Sequence, residues 1–112
     1  MSLVKTKTLN PERINTMAYN KLSTYKTAWT EDDKGGCVIY TKTKIVDWTR
    51  HKITLNSDGW ESVTTKRKMN QASHQFGLGF GVFQKDFVWY VDTPQGHTVK
   101  YFDGMEINRE EN

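Results

Sequence analysis

From Asn56 to Asp92 the chain reads NSDGWESVTTKRKMNQASHQFGLGFGVFQKDFVWYVD, passing from a turn through a polar, basic helix into glycine-studded strands. Ser57-Asp58-Gly59 is the turn that launches the helix, and Asp58 with Glu61 three residues later has capping-box character. The helix is expected from about Glu61 to Gln75, with Gly77 as its stop. Thr65, Met69, Ala72 and Phe76 form one thin stripe; Lys66, Arg67, Lys68, Asn70, Gln71, Ser73, His74 and Gln75 crowd the remainder. Such a helix covers one side of a sheet and leaves a wide polar, basic face outside.

Next comes Gly77-Leu78-Gly79-Phe80-Gly81-Val82-Phe83. Strand alternation would put Leu78, Phe80 and Val82 on one face and three glycines on the other. Glycine inside a strand is costly in entropy, so something should approach the bare face closely. The Lys66–Phe76 helix, another strand, a flat ligand or a second subunit would each satisfy that.

Around this stretch the chain reads as β-structure. Cys37-Val38-Ile39-Tyr40, Lys44-Ile45-Val46-Asp47-Trp48 and Lys52-Ile53-Thr54-Leu55 are β-branched, aromatic-rich runs with short polar breaks, an antiparallel meander that follows a loop at Asp32–Gly36. The connection Asp47–His51 carries Trp48, Arg50 and His51 together, either an ordinary solvated tip with one packing Trp or a basic-aromatic tip able to stack on a base. After the helix, Asp86–Asp92 is a strand, Thr93-Pro94-Gln95-Gly96 a hairpin turn, Thr98–Phe102 the returning strand and Met105–Ile107 a short further segment. Upstream, Asn10-Pro11-Glu12 combines an N-cap residue, Pro at the first helical position and an acid in the first turn. Ile14, Met17, Ala18, Leu22 and Tyr25 then mark one apolar stripe to about Tyr25, a core or partner contact.

The expected fold class is therefore α+β: antiparallel sheet or sheets of about six strands, an N-terminal amphipathic helix, and a central helix between two meanders. Residues 1–9 are expected as a flexible arm or edge strand, 10–108 as a single domain, and 109–112 as a frayed acidic tail. A chain of 112 residues has room for one core, which four Trp, five Tyr and five Phe can fill.

Cys37 is the sole cysteine, which excludes an intramolecular disulfide and a cysteine zinc cluster and suits a reducing cytosol. MSLVKTKTLN lacks a signal-peptide apolar region, and no run approaches the roughly eighteen apolar residues of a membrane span. The net charge of +3 is unevenly placed. Residues 103–112 carry four acids against Arg109, a local −3 that leaves +6 on the other 102 residues and favours a polyanion partner without demanding one.

His51, His74 and His97 lack metal-site spacing, and no G-x-S-x-G, phosphate loop or paired cysteines occur. Gly77-Leu78-Gly79-Phe80-Gly81 has the wrong third spacing for a dinucleotide fingerprint and follows a helix instead of a strand. No cofactor and no catalytic residue is expected. Two binding classes remain. One is an interaction protein that docks on another protein or on itself as a homo-oligomer, with Trp48, Met17 and Tyr25 as partner contacts. The other binds nucleic acid or a nucleotide through Lys66, Arg67 and Lys68, with Asn70, Gln71 and Gln75 as amide readers and Arg50 and His51 alongside. No membrane is expected as partner.

The ordered strings ITLNS, a glycine turn, TTK with MNQ, FGLGF and QKDFVWYV, from Ile53 to Asp92, cover roughly a third of the chain and resemble a family of small, functionally uncharacterised bacteriophage proteins. Members often show two glycines where this chain has Asp58-Gly59. The resemblance carries no functional residue over. It implies a phage gene product acting in the cytoplasm of the infected bacterial host.

Overall fold

The computed structural model describes residues 22–109. Within them lie the strands β1 (Thr27–Asp32), β2 (Gly35–Tyr40), β3 (Thr43–Thr49) and β4 (Lys52–Leu55), then the helix α1 (Val63–Gln75). The strands β5 (Gly81–Lys85), β6 (Val88–Asp92), β7 (Thr98–Lys100) and β8 (Met105–Asn108) follow. Two antiparallel sheets result, a larger one in the order β1-β2-β3-β4-β8 and a smaller one in the order β5-β6-β7. The last strand thus leaves the second meander and closes the first. The expected arm, residues 10–21 of the expected first helix and residues 110–112 fall outside the described residues. Leu22–Tyr25, assigned to that helix by its apolar stripe, are not helical.

Register explains the core. Trp29, Val38, Val46, Leu55 and Met105 lie directly opposite one another across all five strands of the large sheet. Gly36, Trp48, Ile53 and Ile107 make a second row on the same face. Seven of these nine residues are buried, and each buried aliphatic side chain contributes about 1.5–3 kcal/mol, so these rows carry the sheet. Gly36 is obligatory here. A Cβ at this position would meet the Trp48 ring at 2.6 Å and the Thr30 carbonyl at 2.2 Å.

β1 is an element that the sequence reading passed over. Its residues TAWTED are mostly exposed, and Trp29 is the one large apolar side chain, so no alternation announces a strand. The expected loop at Asp32–Gly36 contracts to a tight turn in which the Asp32 carboxylate accepts from the N–H groups of Lys34 (2.8 Å) and Gly35 (3.1 Å).

α1 starts later than expected because Ser62, not Asp58, is its N-cap: Ser62 Oγ accepts from Thr65 N at 3.1 Å. Asp58 and Gly59 instead form a turn with both φ angles positive. At the far end Leu78 N donates to Ser73 O and Gly77 sits at φ +67°, a Schellman closure that needs a residue free to adopt the left-handed region. The glycine-studded strand is therefore a correction. Gly77 and Gly79 are left-handed connection residues, and β5 begins only at Gly81.

The small sheet turns Val82, Trp89 and Val91 inward, where Trp89 meets Tyr101 edge to face at 5.2 Å between centroids. α1 runs along β3, from Thr65, which shares a cleft with Ile45, to Phe76, whose ring lies 4.8 Å from that of Trp48.

Candidate binding surfaces

The polar face of α1 meets two distant stretches of the chain's own backbone. Asn70 donates through Nδ2 to Val82 O (2.9 Å) and accepts through Oδ1 from Val82 N (2.8 Å). One turn on, Ser73 Oγ donates to Phe80 O (2.6 Å) and accepts from Phe80 N (3.0 Å). These two side chains do for the start of β5 what a neighbouring strand would do, pairing groups that would otherwise be buried and unsatisfied.

Toward residues 22–23 the helix repeats the device. Gln75 Oε1 accepts from Leu22 N (2.6 Å) and Gln71 Oε1 from Ser23 N (3.1 Å). Lys68 Nζ donates to Ser23 Oγ (2.6 Å) and Ser23 O (3.3 Å) and stands 5.2 Å from the centre of the Tyr40 ring. Only 2% of Lys68 is exposed, and burial lowers its ammonium pKa.

The expected polar, basic outer face is thus corrected in its placement. Of the residues assigned to it, Lys68 and Gln71 are buried, Asn70 and Gln75 are bonded to backbone, Lys66 is half-buried and Arg67 is exposed. Arg50 and His51 are exposed at the β3–β4 turn, where Arg109 donates from N to His51 O and from Nη1 to Thr49 O. They do not adjoin Lys66 and Arg67, because α1 runs along β3 and Lys66 to Gln75 spans about 14 Å of helix.

Trp48 is likewise corrected. Expected on a hairpin tip as a partner contact, it is 5% exposed, lies over Gly36 and meets the Phe76 ring at a tilt of 31°, because β3 continues to Thr49. Met17 lies outside the described residues, whereas Tyr25 is exposed with Lys26 Nζ 5.3 Å from its ring centre. Among the described residues no group of three His, Cys, Asp or Glu could hold a metal ion.

Large apolar side chains reach solvent elsewhere. Trp60 is 72% exposed, Val63 61% and Phe102 62%, and all three sit on two segments joined by one carboxylate. Asp103 Oδ1 accepts from Ser57 N (2.9 Å), Ser57 Oγ (2.7 Å) and Tyr101 Oη (2.6 Å), and Oδ2 accepts from Gly59 N (2.7 Å). Burial alone would raise the Asp103 pKa, but these hydrogen bonds outweigh it and hold the carboxyl below its ordinary value. Burial, then the bond to Asp103, pushes the Tyr101 phenol up. Trp60 also borders a cleft of about 310 Å³ with Tyr40, Ile45, Asp58, Thr41 and Thr43. Hydroxyls, one carboxylate and two rings equip this cleft for hydrogen bonding and stacking.

The outer face of the small sheet is the second such surface. Phe83, Tyr90 and Lys100 lie directly opposite one another across β5, β6 and β7, and Lys85 opposite Val88 forms the next row. The Phe83 and Tyr90 rings stack at 5.7 Å and 25°. Beyond them the β5–β6 turn places Asp86 at φ +54° and Phe87 at φ +67°, with Phe87 93% exposed. The sequence reading missed these residues although the signal was present: with Trp89 and Val91 inward, alternation sends Val88 and Tyr90 outward.

A family model described as Kyanoviridae Gp96 protein matches residues 6–108. No curated protein and no solved structure matches the chain. Among the described residues no helix is long and apolar enough to cross a membrane.

Proposed function

The chain belongs to the Kyanoviridae Gp96 family of phage proteins, and from that premise we propose that it is a non-enzymatic accessory protein acting inside the infected cell by binding a protein, a host component or a second copy of itself. The observation that carries this reading is the exposure of Trp60, Val63 and Phe102 on the segments that Asp103 clasps together. Tryptophan is the residue most enriched among those that dominate binding energy, and a clasped backbone loses little freedom when a partner covers it. The patch takes the place of the expected contact at Trp48. The alternative reading, nucleic acid or nucleotide on the helix face, loses support because the amides and Lys68 are bonded within the chain.

Photo-crosslinking from position 61 in infected cells, combined with light-scattering mass measurement of the pure protein, tests the proposal. A discrete crosslinked partner or a concentration-dependent dimer is expected, lost in Trp60→Ala and Phe102→Ser proteins that retain the parent melting temperature. A monomer that crosslinks to nothing, or crosslinks unchanged by either substitution, would refute it.

A further inference from the structure

We infer that the outer face of the three-stranded sheet is a stacking platform for single-stranded nucleic acid, separate from the Trp60 patch. Three observations converge on it. The Phe83–Tyr90–Lys100 row places a ring pair and a cation side by side across all three strands, and Lys85 adds a second cation in the adjoining row. Neither lysine forms an ion pair with a carboxylate among the described residues. The hairpin that carries the row ends in Phe87, held in the left-handed region where a turn of this kind ordinarily has glycine.

The chemistry selects the occupant. Base–aromatic stacking tolerates any sequence because every base has a π-face, and lysines alongside neutralise the phosphates between stacked bases. A duplex hides those faces, and the helix that could enter a groove is turned inward here, so the platform suits an unpaired strand. Acids on this surface set its limits. Asp92 lies on the same face two residues beyond Tyr90, with Oδ1 accepting from Thr98 Oγ1 at 2.6 Å, and Asp86 precedes Phe87 at the tip. The two cations therefore lie between these acids, Lys100 beside Tyr90 on one edge and Lys85 in the next row on the other, and the three short strands offer a footprint of about two or three bases.

Fluorescence anisotropy with labelled twelve-residue oligo(dT) and oligo(U) at 20 mM salt tests the inference on the full chain. Binding is expected to both strands, weaker to a duplex of the same length, and falling steeply with salt. Phe83→Ala combined with Tyr90→Ala should weaken it about tenfold or more at an unchanged salt slope, and Tyr90→Trp should retain it. Lys100→Ala should lower the slope by about 0.7. Ultraviolet crosslinking of the unsubstituted protein to oligo(U), read by peptide mass, should mark the segment containing Phe83 or Tyr90 even if a substituted chain fails to fold. No binding at low salt, or crosslinks confined to Lys66 and Arg67, would overturn the inference, as would a protein partner whose footprint covers Phe83 and Tyr90 in place of the oligonucleotide.

Discussion

Helix α1 carries Lys68, Asn70, Gln71 and Ser73 against the interior, while Trp60, Phe87 and Phe102 stand in solvent a short way along the same chain. The two regions exchange the residue types that burial rules would assign them. Of the buried polar groups on α1, Lys68 and Gln71 meet Ser23 and Ser73 meets the Phe80 backbone, as their desolvation cost requires, while Thr65 meets the hydroxyl of the N-cap Ser62. The exposed rings satisfy nothing of the kind. Polarity on the helix is thus explained by folding, and aromaticity on the surface is not.

Removing a tooth of the helix comb should break the first half of this contrast most severely. Asn70→Ala strips both partners from Val82, and leaving two such groups unmet should cost about 2–4 kcal/mol in urea unfolding. A loss no greater than that of an ordinary surface substitution, about 0.5 kcal/mol, would show that water replaces the amide.

The Asp103 clasp should appear as an acid dependence. Its folded pKa lies below the unfolded value of about 3.9, so its contribution is complete above that value and is lost as pH falls through the lowered folded pKa. Thermal unfolding between pH 5 and pH 2 should therefore show a stability loss that is smaller in Asp103→Asn. Parallel curves for the two proteins would remove the clasp from the account.

Phe87 gives the smallest effect and the opposite sign. Its left-handed backbone is unfavourable for a side chain and its ring is almost fully exposed, so Phe87→Gly should stabilise the fold by about 1 kcal/mol. A destabilised Phe87→Gly protein would mean that the ring packs within the fold and has no need of an external role.

Much of the architecture could be read from the chain. The runs at residues 37–40, 44–48 and 52–55 are strands β2, β3 and β4 or parts of them, and the helix ends at Gln75 before Gly77 as its composition implies. The 93–96 hairpin also stands. What failed did so for definable reasons. Periodicity shows which residues share a helix face but not what lies across from it, and the backbone that occupies Gln71 and Lys68 is 45–48 residues away in sequence. The glycine alternation imitates a strand, yet Gly77 is placed by the helix's closing hydrogen bond, a local geometry that composition does not encode. Trp48 looked like a tip residue because Asp47 and Thr49 flank it; its burial depends on Gly36, twelve residues earlier on another strand. Outward rings such as Tyr90 follow from alternation once Trp89 and Val91 are known to face inward.

The polar face of α1 reads the chain's own backbone, and amide hydrogen exchange of Phe80 and Val82, followed by NMR on the unsubstituted protein, is the direct test. Both N–H groups are donated to side chains of the helix, so they should exchange as slowly as ladder amides such as that of Val91. Exchange at the rate of an open loop, with α1 itself protected, would contradict the claim and return Asn70 and Ser73 to solvent.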